Sequence, residues 1–180
     1  MPGWEGRSHD SDTLFAMPLV PLEFDPAQLL PATWRINATN FAIWLAGDRL
    51  EPRLTFEIVD TQPLTLSEDV SYTTTDGEEK HILGTDRWSN GEFTWRGKGL
   101  LSRGRSRWSV IGMSKDAAVV VIRFHGSRNA AERIDILVRD GITRPELRTF
   151  IAHNAEKFGL TAEDFASLTW LRQPDEAAGT

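Results

Sequence analysis

Arg105-Ser106-Arg107-Trp108-Ser109-Val110-Ile111-Gly112-Met113 runs into Ser114-Lys115-Asp116, and then into Ala117-Ala118-Val119-Val120-Val121-Ile122-Arg123-Phe124-His125. Trp108, Val110 and Gly112 alternate with Arg107 and Ser109, which is the period-two pattern of a strand with one buried face. The Met113–Asp116 stretch is a loose turn, and the run after it is a second strand. The same grammar extends in both directions. Upstream, Ser89-Asn90-Gly91-Glu92 and Thr75-Asp76-Gly77 carry the Asn-Gly and Asp-Gly signals of tight hairpins. Downstream, Gly126-Ser127-Arg128-Asn129 is another turn. Between Pro31 and Arg139 such punctuation recurs every 8 to 14 residues, and the segments between read as strands of an all-β barrel or sandwich. Eight strands are predicted, over 33–38, 53–59, 64–74, 78–86, 92–101, 105–113, 117–125 and 132–139, with no convincing helix among them. Eight sequential antiparallel strands are the number that closes an up-and-down barrel with room for one small ligand. A two-sheet sandwich competes, because strand count alone does not separate the two.

After Arg139 the period changes. Leu147, Phe150, Ile151, Ala155 and Phe158 follow helical spacing. Thr143 with Glu146 reads as a capping box, Pro145 suits a first turn, and Gly159 reads as a stop. The expectation is one helix over 143–158, packed on the outside of the barrel by its apolar stripe. A short capped turn follows over 161–168 and a brief strand over 168–172. The class is therefore all-β with one C-terminal helix. The barrel domain spans 25–173, flanked by an extended leader over 1–24, cut by Pro18 and Pro21, and a loose tail over 174–180.

One hundred and eighty residues make one domain, and the absence of cysteine excludes thiol catalysis, iron–sulfur clusters and disulfides. A net charge of −6 argues against bulk attraction to nucleic acid. No run approaches the ~18 apolar residues of a membrane helix. Residues 1–12 carry Glu5, Asp10 and Asp12 where a signal peptide has a basic flank and an apolar core. A cytoplasmic location is expected, and the Asn37-Ala38-Thr39 sequon is then chance. His9, His81, His125 and His153 show no metal-ligand spacing, so no metal is expected. Gly104-Arg105-Ser106 is no nucleophile elbow, and Gly97-Lys98-Gly99 is no phosphate loop. No catalytic constellation and no cofactor motif stands out.

Ala32-Thr33-Trp34-Arg35-Ile36-Asn37, followed by Trp44, resembles the first-strand motif of the lipocalins, with Ala32 in place of the family's glycine. Arg107–Val110 through Val121 resembles their sixth and seventh strands, and Ile134–Asp140 their eighth strand with its closing arginine. The stretch over 145–173, above all Ala155–Leu160 and Leu168–Gln173, is similar to the helix and last strand of bacterial lipocalins. The resemblance spans 25–173 in order and spacing. It implies that Arg139 lies across Trp34 at the closed end, and that the barrel's upper half is open to an apolar ligand.

On that basis the inward candidates are Phe56, Tyr72, Trp95, Trp108, Val110, Val121, Arg123 and Ile136. Loops near 44–52, 74–78, 101–105 and 125–132 are expected at the mouth. They would bring Trp44, Arg49, Arg103, Arg105 and Arg128 to its rim, partly offset by Asp48 and Glu78. A basic rim over an apolar well suits an amphiphile with an anionic head, such as a fatty acid. Three readings follow. The first is a carrier or sensor of a small hydrophobic or amphiphilic molecule. The second is a cofactor-free isomerase or decarboxylase using Arg123, Asp135 or His81. The third is an interaction module with a filled barrel.

Overall fold

The computed structural model describes residues 23–127 and 131–173. The leader over 1–22, the tail over 174–180 and the rim candidate Arg128 lie outside the described residues. Eight of the strands are those expected: β1 (Ala32–Thr39), β2 (Arg49–Thr61), β3 (Leu64–Thr74), β4 (Glu79–Ser89), β5 (Glu92–Gly97), β6 (Arg105–Met113), β7 (Val119–Phe124) and β8 (Arg133–Arg139). They form one sheet in the order β2-β3-β4-β5-β6-β7-β8-β1. The sheet closes because β1 also pairs with β2, with Ala32 opposite Phe56 and Trp34 opposite Leu54. A ninth strand, β9 (Thr169–Trp170), sits on the far end of β1, opposite Ala38 and Thr39. Every pairing is antiparallel, so the architecture is the closed up-and-down barrel rather than a sandwich. At the β4–β5 hairpin Asn90 and Gly91 take φ of 52° and 85°, the left-handed pair that this two-residue turn requires. No helix among the described residues is long and apolar enough to cross a membrane.

Two apolar clusters hold the fold. The inner one fills the closed half of the barrel with Trp34, Leu54, Phe56, Leu66, Phe93, Trp108, Ile122 and Leu137. The outer one covers β7 and β8 from outside. There Val119, Val121, Ile134, Ile136 and Val138 meet Leu147, Ile151, Phe158, Leu160 and Leu168. Being buried on both faces, β7 and β8 read as continuous apolar runs, without alternation.

The covering helix differs from its expectation. It is a short helix α3 (Leu147–His153), after two four-residue helices α1 (Pro26–Leu29) and α2 (Ala42–Leu45), and it passes into a 3₁₀ turn over Ala155–Phe158. The Thr143–Glu146 capping box does not form. Pro145 biases Arg144 away from helical geometry, and Glu146 stands at φ 56°, so Thr143 is off the helix. The capping box lies one helix later. Thr161 accepts from the Asp164 backbone and Asp164 from that of Thr161, opening α4 (Ala162–Ser167). Gly159 ends the 3₁₀ turn at φ 66°, as the stop signal implied.

β6 carries a register shift between Val110 and Gly112. It turns Gly112 to the outside, away from the inward Trp108 and Val110, so the three do not share a face as the plain alternation suggested. A Cβ on Gly112 would stand 2.4 Å from the Phe158 Cα, and one on Gly159 would stand 2.6 Å from the Ile111 carbonyl oxygen. The turn after α3 is therefore docked backbone to backbone on the β6 bulge.

At the closed end Trp34 is fully buried, its Nε1–H donating to the Leu30 carbonyl at 2.9 Å. The Arg139 guanidinium lies 4.7 Å from the Trp34 ring centre and donates to the Leu29 carbonyl at 3.1 Å. It thus ties β8, β1 and α1 together. Arg139→Ala should cost about 1–3 kcal/mol through lost cation–π contact, packing and hydrogen bonding. A denaturant midpoint equal to wild type at unchanged slope would show that this contact does not matter.

Candidate functional site

Above the packed floor the barrel opens into a cavity of about 550 Å³. Its walls are mostly apolar: Ile36, Leu54, Val70, Ile82 and Phe124 from the strands, with Phe41, Ile43 and Trp44 from the β1–β2 loop. That loop folds over the opening as α2, which places Trp44 edge-on to Tyr72 at 6.0 Å. Tyr72 in turn lies 5.2 Å beneath the Arg49 guanidinium. Trp95 reaches across β4 because position 84 is glycine, where a Cβ would stand 2.1 Å from the indole Nε1.

Of the expected inward residues, Tyr72 and Trp95 line the cavity. Phe56, Trp108 and Val110 point into the barrel but are packed in its core. Trp108 stacks on Phe93 at 4.5 Å and meets Phe56 at 5.7 Å. Val121, Arg123 and Ile136 face outward, a correction to their expected place. Val121 and Ile136 carry the outer apolar cluster. Arg123 pairs with Asp164 at 2.8 Å and Glu132 at 3.0 Å, fastening α4 to β7. The alternation that would have fixed their side is missing from β7 and β8, because both faces are covered. At the rim, Trp44, Arg49 and Arg105 line the cavity, whereas Arg103 is exposed and does not.

Of the acids inside, the sequence reading named Asp135 and passed over Glu68 and Asp86. Glu68 on β3, Asp86 on β4 and Asp135 on β8 are 6%, 0% and 2% exposed. Glu68 and Asp135 line the cavity, and Asp86 lies beneath it. Asp86 Oδ1 accepts from Trp108 Nε1–H at 2.6 Å, and its Oδ2 has no hydrogen-bond partner among the described residues. Asp135 Oδ1 accepts from the Thr39 hydroxyl at 2.5 Å. Burial pushes the Glu68 carboxyl well above the usual range, helped by the Asp86, Asp135 and Asp69 charges, while the Trp95 indole N–H opposes it. Burial raises Asp86 to about 7 against the Trp108 hydrogen bond. It raises Asp135 to about 6 against the Thr39 hydrogen bond and the Arg133 charge. Arg133 turns its guanidinium over Phe41 at 4.0 Å and Phe124 at 5.2 Å. A signal for Glu68 was present: Leu64, Leu66, Glu68, Val70 and Tyr72 share one phase, and the acid stands where an apolar residue is due.

These carboxyls make stability depend on pH. Their raised values mean that the folded barrel prefers them protonated. That preference is fully met below pH ~4, where the unfolded chain is protonated too, and it is lost as pH rises through the folded values. Asp86→Asn keeps an acceptor for Trp108 without the charge. It should therefore gain on wild type by on the order of a few kcal/mol between pH 4 and 7.5. Urea midpoints of both proteins across that window check this, and a constant gap would count against it.

No protein-family model and no curated protein matches the sequence. Solved structures do. Lobster apocrustacyanin A1 superposes with a TM-score of 0.58 over 83% of each chain at 8% identity. Apocrustacyanin C1 gives 0.58 over 84% of each at 8% identity. The siderocalin Ex-FABP gives 0.53 at 14% identity, over 80% of this chain and 94% of that one. The fold is lipocalin-like. Within a lipocalin-like barrel the cavity described above is the open half, and the Trp34–Arg139 contact closes the other. Among the described residues no three His, Asp or Glu side chains are grouped to hold a metal.

Proposed function

We propose that this protein binds a small hydrophobic molecule in the open half of its barrel and holds it reversibly. The observation that carries this reading is the cavity of about 550 Å³, apolar-walled and open at one end. That is the size and lining of a small-molecule site, and it speaks against a filled barrel acting only through its surface. The siderocalin of the same fold functions through dual ligand specificities. The enzyme reading draws less support. His81 pairs with Asp69 at 2.9 Å among exposed side chains, and Arg123 is on the outer face. Of the three residues that reading needed, only Asp135 faces the cavity.

Trp44 and Trp95 line the cavity, so an apolar ligand should displace water from an indole and change the emission. Titration with aliphatic and aromatic probes under tryptophan fluorescence tests the reading, as does native mass spectrometry of the freshly purified protein. An absence of binding across both probe classes would reject it. A second reading, an anionic and fatty-acid-like ligand, rests on Arg49 and Arg105 at the mouth. A long-chain acid would then bind up to about fivefold tighter than its methyl ester, since one exposed charge contributes ~0–1 kcal/mol. Salt should erode that margin. Equal affinities for acid and ester would reject it.

A further inference from the structure

The geometry points to a protonated amine as the group that reaches the floor of the cavity, held between the carboxyls of Glu68 on β3 and Asp135 on β8. This inference rests on the barrel being a small-molecule binder and specifies the chemistry of the ligand's inner end. Both carboxyls line the cavity, and both are more than nine-tenths buried. Asp86, fully buried below, presents an Oδ2 with no hydrogen-bond partner among the described residues. Two carboxyls lining an apolar chamber, with a third buried beside it, are a poor way to hold a molecule that is apolar throughout, because burying such groups is costly unless a cation or donors meet them. The groups facing Glu68 are Asp86, Asp135, Asp69 and the Trp95 indole. Those facing Asp135 are Thr39 and Arg133. Arg133, the one cation in that set, also lines the cavity and favours the ionised form of Asp135, while its guanidinium is spread over Phe41 and Phe124. Among the described residues, the groups that act on Glu68 include no cation. An ammonium on an apolar body satisfies both carboxyls with its N–H donors and lays the body along Ile36, Leu54, Val70 and Ile82.

The proton balance gives the inference its signature. Burial and the acidic neighbours favour the protonated form of the Glu68 carboxyl. An arriving ammonium keeps its own proton, and the Glu68 proton leaves to solvent as the ion pair forms. Affinity must therefore rise with pH, by up to about tenfold per unit, while Glu68 is protonated in the free protein and the amine remains charged.

The test uses the full chain with three probes of equal chain length: decylammonium, decanol and decanoate. Decylammonium should bind roughly tenfold or more tighter than decanol at pH 7.5 and lose that margin by pH 5.5, whereas decanol should not respond to pH. Calorimetry in two buffers of different ionisation enthalpy should show proton release with decylammonium alone. In Glu68→Gln, and separately in Asp135→Asn, which keeps an acceptor for Thr39, the ammonium-to-alcohol ratio should fall towards one. Decanol binding as tightly as decylammonium, a pH-independent ammonium affinity, or a preference that survives both substitutions would overturn this inference and leave the small-molecule reading standing. Decanoate binding tighter than decylammonium at every pH would overturn it in favour of the mouth arginines. Failure of all three probes to bind would take down both readings.

Discussion

Trp108→Ala is expected to cost about 3–5 kcal/mol of stability, the range for deleting a fully buried large aromatic side chain. The ring is 1% exposed, stacked on Phe93 and close to Phe56 and Phe124. Removing it leaves a hole in the packed floor, and strips Asp86 of its one hydrogen-bond donor among the described residues. Trp108→Phe separates the two effects, since it keeps most of the packing and removes only the N–H. Its cost should be nearer 1–3 kcal/mol, and Asp86 should titrate higher than in the wild type, because the donor that favoured its charged form is gone. Denaturant unfolding gives the stabilities, and the pH dependence of the Trp108→Phe midpoint gives the direction of the Asp86 change. A loss under 1 kcal/mol in Trp108→Ala would mean that the floor collapses to fill the hole.

Gly112→Val should be nearly as damaging, by about 3 kcal/mol or more, although it adds atoms instead of removing them. The new Cβ would meet backbone, with the Phe158 Cα at 2.4 Å and its carbonyl oxygen at 2.7 Å, so no side-chain rotation relieves the clash. The turn after α3 must lift, and with it Phe158 and Leu160 leave the outer faces of β7 and β8. Hydrogen exchange should show fast exchange confined to 147–160 and to β6 near the bulge, with the far side of the barrel still protected. Uniform loss of protection instead would show that the helix and the barrel unfold as one.

The strands were legible because turn chemistry is local. Asn90-Gly91 and Asp76-Gly77 name their hairpins, and the boundaries of β3 and β6 follow to the residue. What stayed hidden depends on contacts between distant segments. The side on which Val121, Arg123 and Ile136 lie is set by α3 and α4 covering β7 and β8, and a run buried on both faces carries no phase. The shift between Val110 and Gly112 moves a single residue across the sheet without any mark in the composition. Trp34 and Arg139 were found through the resemblance and not through any rule of spacing. Glu68 could have been found, since it interrupts the apolar phase of Leu64, Leu66, Val70 and Tyr72, whereas Asp86 follows Glu78, Lys80, Ile82 and Gly84 and breaks no apolar phase.

β1 is held by three partners: β2, β8 and β9. Trp34 pairs with Arg139, and Ala38 with Trp170, so the first strand finds two of its three neighbours about a hundred residues or more downstream. During synthesis, β2 through β7 can zip as successive hairpins, while β1 keeps one edge unsatisfied until β8 has left the ribosome. Such non-local closure is the slow kind of folding, and an open strand edge is where a nascent chain meets its neighbours. The seam between β1 and β8 is therefore where a crowded cell will decide how much of this chain reaches its native state.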